Sequence, residues 1–382
     1  MTYELAKHFP HEIIFQTEGP MITLYQPTHR RFPENKQDPI VFKNLLRDID
    51  DALSLKYEKE LVSTIMAPLY ELEEDADFWN NTLDGIAVLG NQSQCVIYLL
   101  QETVNEFATV ANSFHIKPLI KAFQSLENYQ LLGLSRNSFS VYQGNRNRIM
   151  ELKISSDTPT SLEDVLGEQK TESYLSHGSY GGASGNAMYH GHGDPKQETD
   201  IDTEKYFRYV DKFVYDNYSS KSKLPLIIVA LGEYHSDFKN KSINPYLHEE
   251  GVAKSYESMD LDEIKEEVLE IIEPIHEAKI QELIDTFNQA ESGSLGSSKV
   301  AKIASAAFDG RIDTVLIEEN RIVGGKIDME TGEVKFGSID SPDLDDILDD
   351  IAELVLMRKG DVFILPKDKM PSDTGVCAIF RY

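Results

Sequence analysis

The chain is poor in the residues that define several protein classes. It holds two cysteines in 382 residues. Cys95 and Cys377 lie far apart in apolar surroundings, with no second cysteine or histidine at ligand spacing, which argues against a disulfide framework and a cysteine zinc site. The single tryptophan, Trp79, reads as a core aromatic. Long apolar runs are missing as well. The longest, Leu224 to Leu231, contains Pro225 and falls far short of the roughly 20 residues that span a bilayer. Residues Met1 to Lys7 have no apolar stretch behind a basic one, so a cytoplasmic protein without membrane contact is expected. Positive charge is scarce: 37 Lys and Arg stand against 65 Asp and Glu, a net of −28. Such a balance excludes a general basic surface for nucleic acid, because phosphate neutralisation needs clustered Lys and Arg. No P-loop ending in Gly-Lys-Ser/Thr, no dinucleotide fingerprint and no solenoid repeat is present, and no cofactor is expected.

The 41% of hydrophobic positions is enough for folded cores, and the length predicts two or three domains. Three segments differ in texture. In residues 1–126, the run Met21 to Tyr25 reads as a strand, and Val41, Leu45, Leu46, Ile49 and Leu53 follow helical spacing, as do Leu61, Ile65, Leu69 and Leu72. Gly85 to Gly90 and Cys95 to Leu100 read as buried strands around a turn. Residues 127–250 open with a three-stranded meander, Tyr129 to Leu134, Phe139 to Tyr142 and Arg146 to Leu152. A long Gly-rich segment, a helix through Tyr206, Val210 and Val214, and the buried strand Leu226 to Leu231 follow. Residues 251–382 carry a helical stripe through Leu261, Ile264, Val268 and Ile272 that continues past Pro274. A small-residue helix over Ser297 to Phe308, the strand Asp313 to Ile317, a helix through Leu344 to Leu354, and strands Asp361 to Leu365 and Val376 to Phe380 complete the segment. Strands alternating with helices predict an α/β architecture throughout.

The negative charge is concentrated. Glu257 to Glu291 carries a net of −10 and Asp340 to Glu353 a net of −7. The plain expectation is a solvated outer helix face; the sharper one is a docking surface for a basic partner. Across the meander, Arg136, Arg146, Arg148 and Lys153 outnumber Glu151 and form the one modestly basic patch, candidates for RNA contact.

The most unusual segment runs from Ser176 to Pro195. Glycines at 178, 181, 182, 185, 191 and 193 leave its backbone amides open to a phosphate or carbonyl oxygen. Its ordinary reading is a surface loop without chemistry. His177, His190 and His192 are the candidate catalytic groups, and His190, His192 and Asp194 are the candidate metal ligands. No nucleophile, carboxylate partner or substrate pose is fixed by the sequence, so neither role is assigned. His29 and His115 read as structural histidines.

The order of these features resembles a known family. The meander ending Tyr142-Gln-Gly-Asn-Arg-Asn-Arg-Ile-Met-Glu-Leu152, the Gly-rich loop, the helix, and the strand passing into Ala230-Leu-Gly-Glu-Tyr-His-Ser-Asp-Phe-Lys239 are similar to the central domain of archaeo-eukaryotic peptide release factors and of Pelota. Ser298 to Ile317 resembles their third domain. Tyr25-Gln-Pro-Thr-His-Arg30, Phe78-Trp-Asn-Asn-Thr-Leu-Asp-Gly-Ile-Ala87, Phe114-His-Ile-Lys-Pro-Leu119 and Gly360-Asp-Val-Phe-Ile-Leu-Pro366 resemble the bacterial branch of that superfamily. The resemblance implies an N-terminal α/β domain, a central domain of ribonuclease-H-like topology, and a C-terminal α/β domain of the kink-turn-binding ribosomal-protein type that docks a translational GTPase in relatives. It also implies ribosome or tRNA as partner and a monomeric factor.

In release factors the central loop carries Gly-Gly-Gln, directed at the peptidyl-tRNA ester. Here the corresponding functional loop is Gly181, Gly182, Ala183, Ser184, Gly185 and Asn186, without the glutamine, and no Asn-Ile-Lys-Ser stop-codon motif is present. The resemblance therefore points to a Pelota-like factor of ribosome rescue or dormancy without hydrolysis of its own. Two alternatives stand beside it: a hydrolase of RNA or tRNA esters using the His-rich loop, and a non-catalytic protein-interaction module.

Overall fold

A computed structural model describes residues 3–16, 18–124, 128–146, 148–167, 195–328, 331–338 and 345–382. The chain folds into two compact units, one made of residues 1–125 and 278–382, the other of residues 126–277. Among the described residues no helix is long and apolar enough to cross a membrane.

The first unit is built on a five-stranded sheet in the order Glu4–Ala6, Cys95–Leu100, Gly85–Gly90, Met21–Pro27, Phe107–Ala111. Only the Glu4–Ala6 pairing is parallel. Both faces of its central strands are covered, which explains why their sequences are unbroken apolar runs rather than alternating ones. Ile22, Leu24, Ile86, Val88 and Ile97 meet the helices Asp38–Lys56 and Lys59–Glu74 through Phe42, Leu46, Ile49, Ile65, Leu69 and Trp79. Tyr25, Ala87, Leu89, Val96 and Tyr98 point the other way, into a core shared with the carboxy-terminal segment. That segment contributes a four-stranded sheet in the order Gly296–Ser297, Val376–Phe380, Ile312–Glu318, Asp361–Leu365, and a small antiparallel sheet of Val334–Phe336, Gly324–Ile327 and Asp345–Asp346. The helices Val300–Phe308 and Ile347–Met357 supply Ile303, Ala304, Ile347, Leu348, Ile351 and Val355 to the same core.

The second unit contains the expected meander. Its four-stranded sheet runs Ile149–Glu151, Phe139–Gly144, Tyr129–Leu134, Leu226–Val229, antiparallel except for the last pair. Alternate residues of Leu226–Val229 face two cores. Leu226 and Ile228 meet Tyr206, Phe207 and Val210 of the helix Pro195–Val214; Ile227 and Val229 meet Ile264, Val268 and Ile272 of the helix Leu261–Ser292. Gly144 pairs with Tyr129 in the ladder, and a Cβ there would lie 2.5 Å from the Tyr129 ring. The small residue is required by that close approach.

Candidate functional site

The Gly-rich segment carrying His177, Gly181 to Asn186, His190, His192 and Asp194 lies outside the described residues. Its flanks are anchored in the second unit. The helix Leu162–Leu166, capped by the Ser161 hydroxyl accepting from the Asp164 amide at 3.1 Å, packs Leu162 and Leu166 into the core containing Tyr206 and Val210. The Tyr206 hydroxyl donates to the Thr160 carbonyl at 2.8 Å, and Tyr209 donates to that of Pro159 at 3.1 Å.

The four basic candidates do not form one patch. Arg136 sits in the turn between the first two meander strands, whereas Arg146 and Arg148 sit in the next turn, at the opposite end of those strands. Six residues separate the two ends, roughly 20 Å at the rise of a β-strand. Lys153 follows the third strand, which runs back toward the Arg136 end. Arg136, Arg146 and Lys153 are exposed and Arg148 is half-buried. The Arg146 guanidinium spans both Glu273 carboxylate oxygens at 2.6 Å, so its charge is already matched by an exposed acid.

The acidic stretch near the carboxy terminus corrects the expectation of a solvated face. Asp346, Asp349 and Glu353 are buried, and Asp345 and Asp350 are half-buried, in the first unit. The helix Ile347–Met357 is covered nearly all round, with Asp349 and Asp350 meeting Ser113, Ile116 and Lys117.

Asp349 accepts from the backbone amides of Ile116 and Lys117 at 3.0 Å each, satisfying the open amides that begin the helix Lys117–Phe123. Its other oxygen meets His115 Nδ1. Burial pushes the Asp349 carboxyl up, but the charges of His115 and Lys117 and these hydrogen bonds hold it below the ordinary range. The fully buried Lys117 ammonium binds Asp346 and donates to the Arg321 carbonyl at 2.6 Å. Burial keeps Asp346 above its ordinary value despite Lys117. The His115 backbone is fixed in turn: its carbonyl accepts from the Tyr25 hydroxyl at 2.6 Å and its amide donates to Thr23 Oγ1 at 3.1 Å.

His115, Asp346 and Asp349 bring three ligand atoms within 4.8 Å of one another, a spacing that suits a metal ion. Lys117 argues for a different occupant. Its ammonium already supplies the positive charge to Asp346 and stands 3.9 Å from Asp349. The cluster is therefore a buried ion network joining the amino-terminal and carboxy-terminal parts of one unit. A cavity of about 370 Å³ opens beside it, bounded by Tyr25, Phe107, His115, Lys117 and Lys121, with Lys121 paired to Glu319 at 2.8 Å.

Nucleophilic cysteine chemistry finds no support among these groups. Burial pushes the thiols of both Cys95 and Cys377 up to about 12, so neither is a thiolate near neutral pH. His115 and Trp79 take the structural places expected of them; Trp79 is buried and its indole donates to the Leu72 carbonyl at 2.9 Å. Lys117 and the buried acids were not legible as a network, although Lys117 lies within the motif Phe114-His-Ile-Lys-Pro118.

Residues 127–274 match the model of bacterial archaeo-eukaryotic release factor family 6. No curated protein matches the chain. Solved structures similar to it include ribosome-bound archaeal Pelota, at 11% identity over 78% of this chain and 72% of that one with a TM-score of 0.42. Another is Dom34 of S. cerevisiae, a translation termination-like factor, at 14% identity over 76% of this chain and 74% of that one with a TM-score of 0.38. A third, the archaeal translation termination factor aRF1, shares 13% identity over 97% of this chain and 95% of that one, with a TM-score of 0.25.

Proposed function

We propose that this chain, whose residues 127–274 match the model of bacterial archaeo-eukaryotic release factor family 6, is a ribosome-associated translation factor of rescue or dormancy that does not itself hydrolyse peptidyl-tRNA. The observation that carries the reading is the family match over the segment that holds the Gly-rich loop, together with Gly181-Gly182-Ala183 where release factors have Gly-Gly-Gln. Without the glutamine, the loop keeps the two glycines and lacks the group that release factors direct at the ester.

In this reading three segments of the chain carry the function, although residues 1–125 and 278–382 fold as one unit and residues 126–277 as the second. Residues 1–126 meet the decoding region without reading a stop codon. Residues 127–250, with a ribonuclease-H-like topology, present the loop Gly181 to Asn186 to the tRNA end. Residues 251–382, of the kink-turn-binding type, offer acidic surface from the Glu257 to Glu291 stretch to a translational GTPase. Arg136 and Lys153 at one end of the meander, and Arg148 at the other, make separate contacts with RNA phosphates, because they do not converge on one patch. Arg146 contributes less, since Glu273 already holds it.

Sedimentation of the protein with purified ribosomes, followed by a peptidyl-tRNA release assay on the complexes, tests both halves. Cosedimentation without release is expected. Release at the rate of a Gly-Gly-Gln factor would overturn the non-hydrolytic half.

A further inference from the structure

A second cavity of the first unit, about 330 Å³, is lined by Tyr57, Ser113, Lys326, Asp345, Asp350 and Glu353. Asp350 and Glu353 stand three residues apart on the helix Ile347–Met357 and so share a face. Glu353 is 93% buried, at 7% exposure, and among the described residues makes no hydrogen bond or ion pair. Ser113 Oγ lies 2.9 Å from Asp350 Oδ1 and 3.3 Å from Asp345 Oδ2. One hydroxyl proton cannot serve both acids at once. Asp345 also accepts from the Asp346 amide at 2.9 Å and Asp350 from the Ile327 amide. Of the three carboxyls, Glu353 alone faces the open volume with no partner among the described residues, whereas buried polar groups are ordinarily satisfied.

The missing partner is a cation, and its size follows from the geometry. Among the described residues the only three acid or imidazole groups within 4.8 Å of one another are His115, Asp346 and Asp349. The three acids of this cavity are too dispersed to enter one ion's inner shell together. Its volume suits a small organic ligand. Ile327 and Leu354 supply apolar wall for a methylene stem. When ionised, the three acids and Lys326 sum to −2, the complement of a dication.

We propose that this cavity binds an aliphatic diamine, with its two ammonium groups on Glu353, Asp350 and Asp345 and its stem against Ile327 and Leu354. An ammonium has three donors and no acceptor, which matches the unpartnered Glu353 carboxyl and the acceptor oxygens of Asp345 and Asp350 beside it. Charge-assisted hydrogen bonds of this kind are about twice as strong as neutral ones. The proposal rests on residues of the first unit alone and stands whether or not the chain binds ribosomes.

Binding is coupled to proton release. Burial, with neighbouring acids adding to it, holds Asp350 at about 7 and Glu353 at about 8, so both are partly protonated near neutrality in the empty site. The charged groups packed around them are Asp345 and Asp349, Lys326 on its strand, and, through Asp349, His115 and Lys117. A bound dication drives both carboxyls to ionise, and affinity rises from pH 6 to pH 8 while the amine stays charged.

Titration calorimetry of the full chain with 1,4-diaminobutane at pH 7.5, in two buffers of different ionisation enthalpy, tests the proposal. One-to-one binding with net proton release is expected. Glu353→Gln should weaken it roughly 10- to 100-fold, the loss of one charged partner, and Asp350→Asn should act alike; circular dichroism verifies that each variant is folded. Lys326→Ala should leave binding intact or tighten it. No saturable heat, an equal response to magnesium chloride at matched ionic strength, or unchanged affinity in folded Glu353→Gln and Asp350→Asn would overturn the proposal.

Discussion

Glu353→Gln without any added ligand isolates the electrostatic cost of the buried acid row. The two side chains have nearly the same shape, and the cavity beside position 353 leaves room for an amide. The wild-type carboxyl is held at about 8, against 4.5 ordinarily, by burial and by the charges of Asp350 and Asp349. A folded-state value above the unfolded one means that the folded protein keeps its proton to higher pH. Its stabilising contribution is therefore complete below about pH 4.5 and is lost as pH rises through 8. Each tenfold in proton affinity corresponds to about 1.4 kcal/mol, which sets a ceiling of about 5 kcal/mol at pH 9. Water reaching the cavity reduces this, and a gain of about 2–4 kcal/mol for the amide is expected at pH 9. At pH 5.5 the folded carboxyl is neutral while the unfolded one is already ionised, so the gain should shrink to about 1.4 kcal/mol. Urea titrations followed by circular dichroism at pH 5.5, 7 and 9 measure the difference directly. An equal effect at all three values, or a loss of stability at pH 9, would refute the reasoning.

The remaining predictions concern other parts of the fold. Lys117→Met should cost about 3–5 kcal/mol near neutral pH, because it strands Asp346 as a buried charge without its partner; denaturation midpoints of the variant measure it. Gly144→Ala should cost about 1–3 kcal/mol, since the added Cβ meets the Tyr129 ring and the core offers it no space; a thermal melt is sufficient. A double-mutant cycle on Arg146 and Glu273 should give a coupling below about 1 kcal/mol, because both ends of the pair are exposed, and a larger value would mean that this pair holds the meander in place.

Local patterns reached the elements and stopped at their partners. The strands Gly85–Gly90 and Cys95–Leu100 and the helices beginning at Asp38 and Lys59 follow from periodicity and turn residues within a few positions. The strand Phe107–Ala111 has no such signal: all five of its residues are half-buried, so neither alternation nor a continuous apolar run announces it. The acid row illustrates the deeper limit. Asp345 to Glu353 has the composition of a solvated face, and only the arrival of Ser113, His115 and Lys117, more than 220 positions earlier in the chain, turns it inward. The basic residues of the meander show the same effect at short range. They are close in sequence, and the hairpin sends Arg136 and Arg146 to opposite ends of the strands. The α/β class, the central meander and the family resemblance were legible from sequence; the buried ion network and the two cavities were not, since both depend on distant segments meeting.

The most direct test of the functional account is sedimentation of the protein through a sucrose cushion with ribosomes from stressed and growing cells, at low and high salt. The account predicts a fraction that pellets with ribosomes at low salt and is released as salt screens the contacts. A protein that stays wholly in the supernatant at low salt, in every growth state, would contradict it.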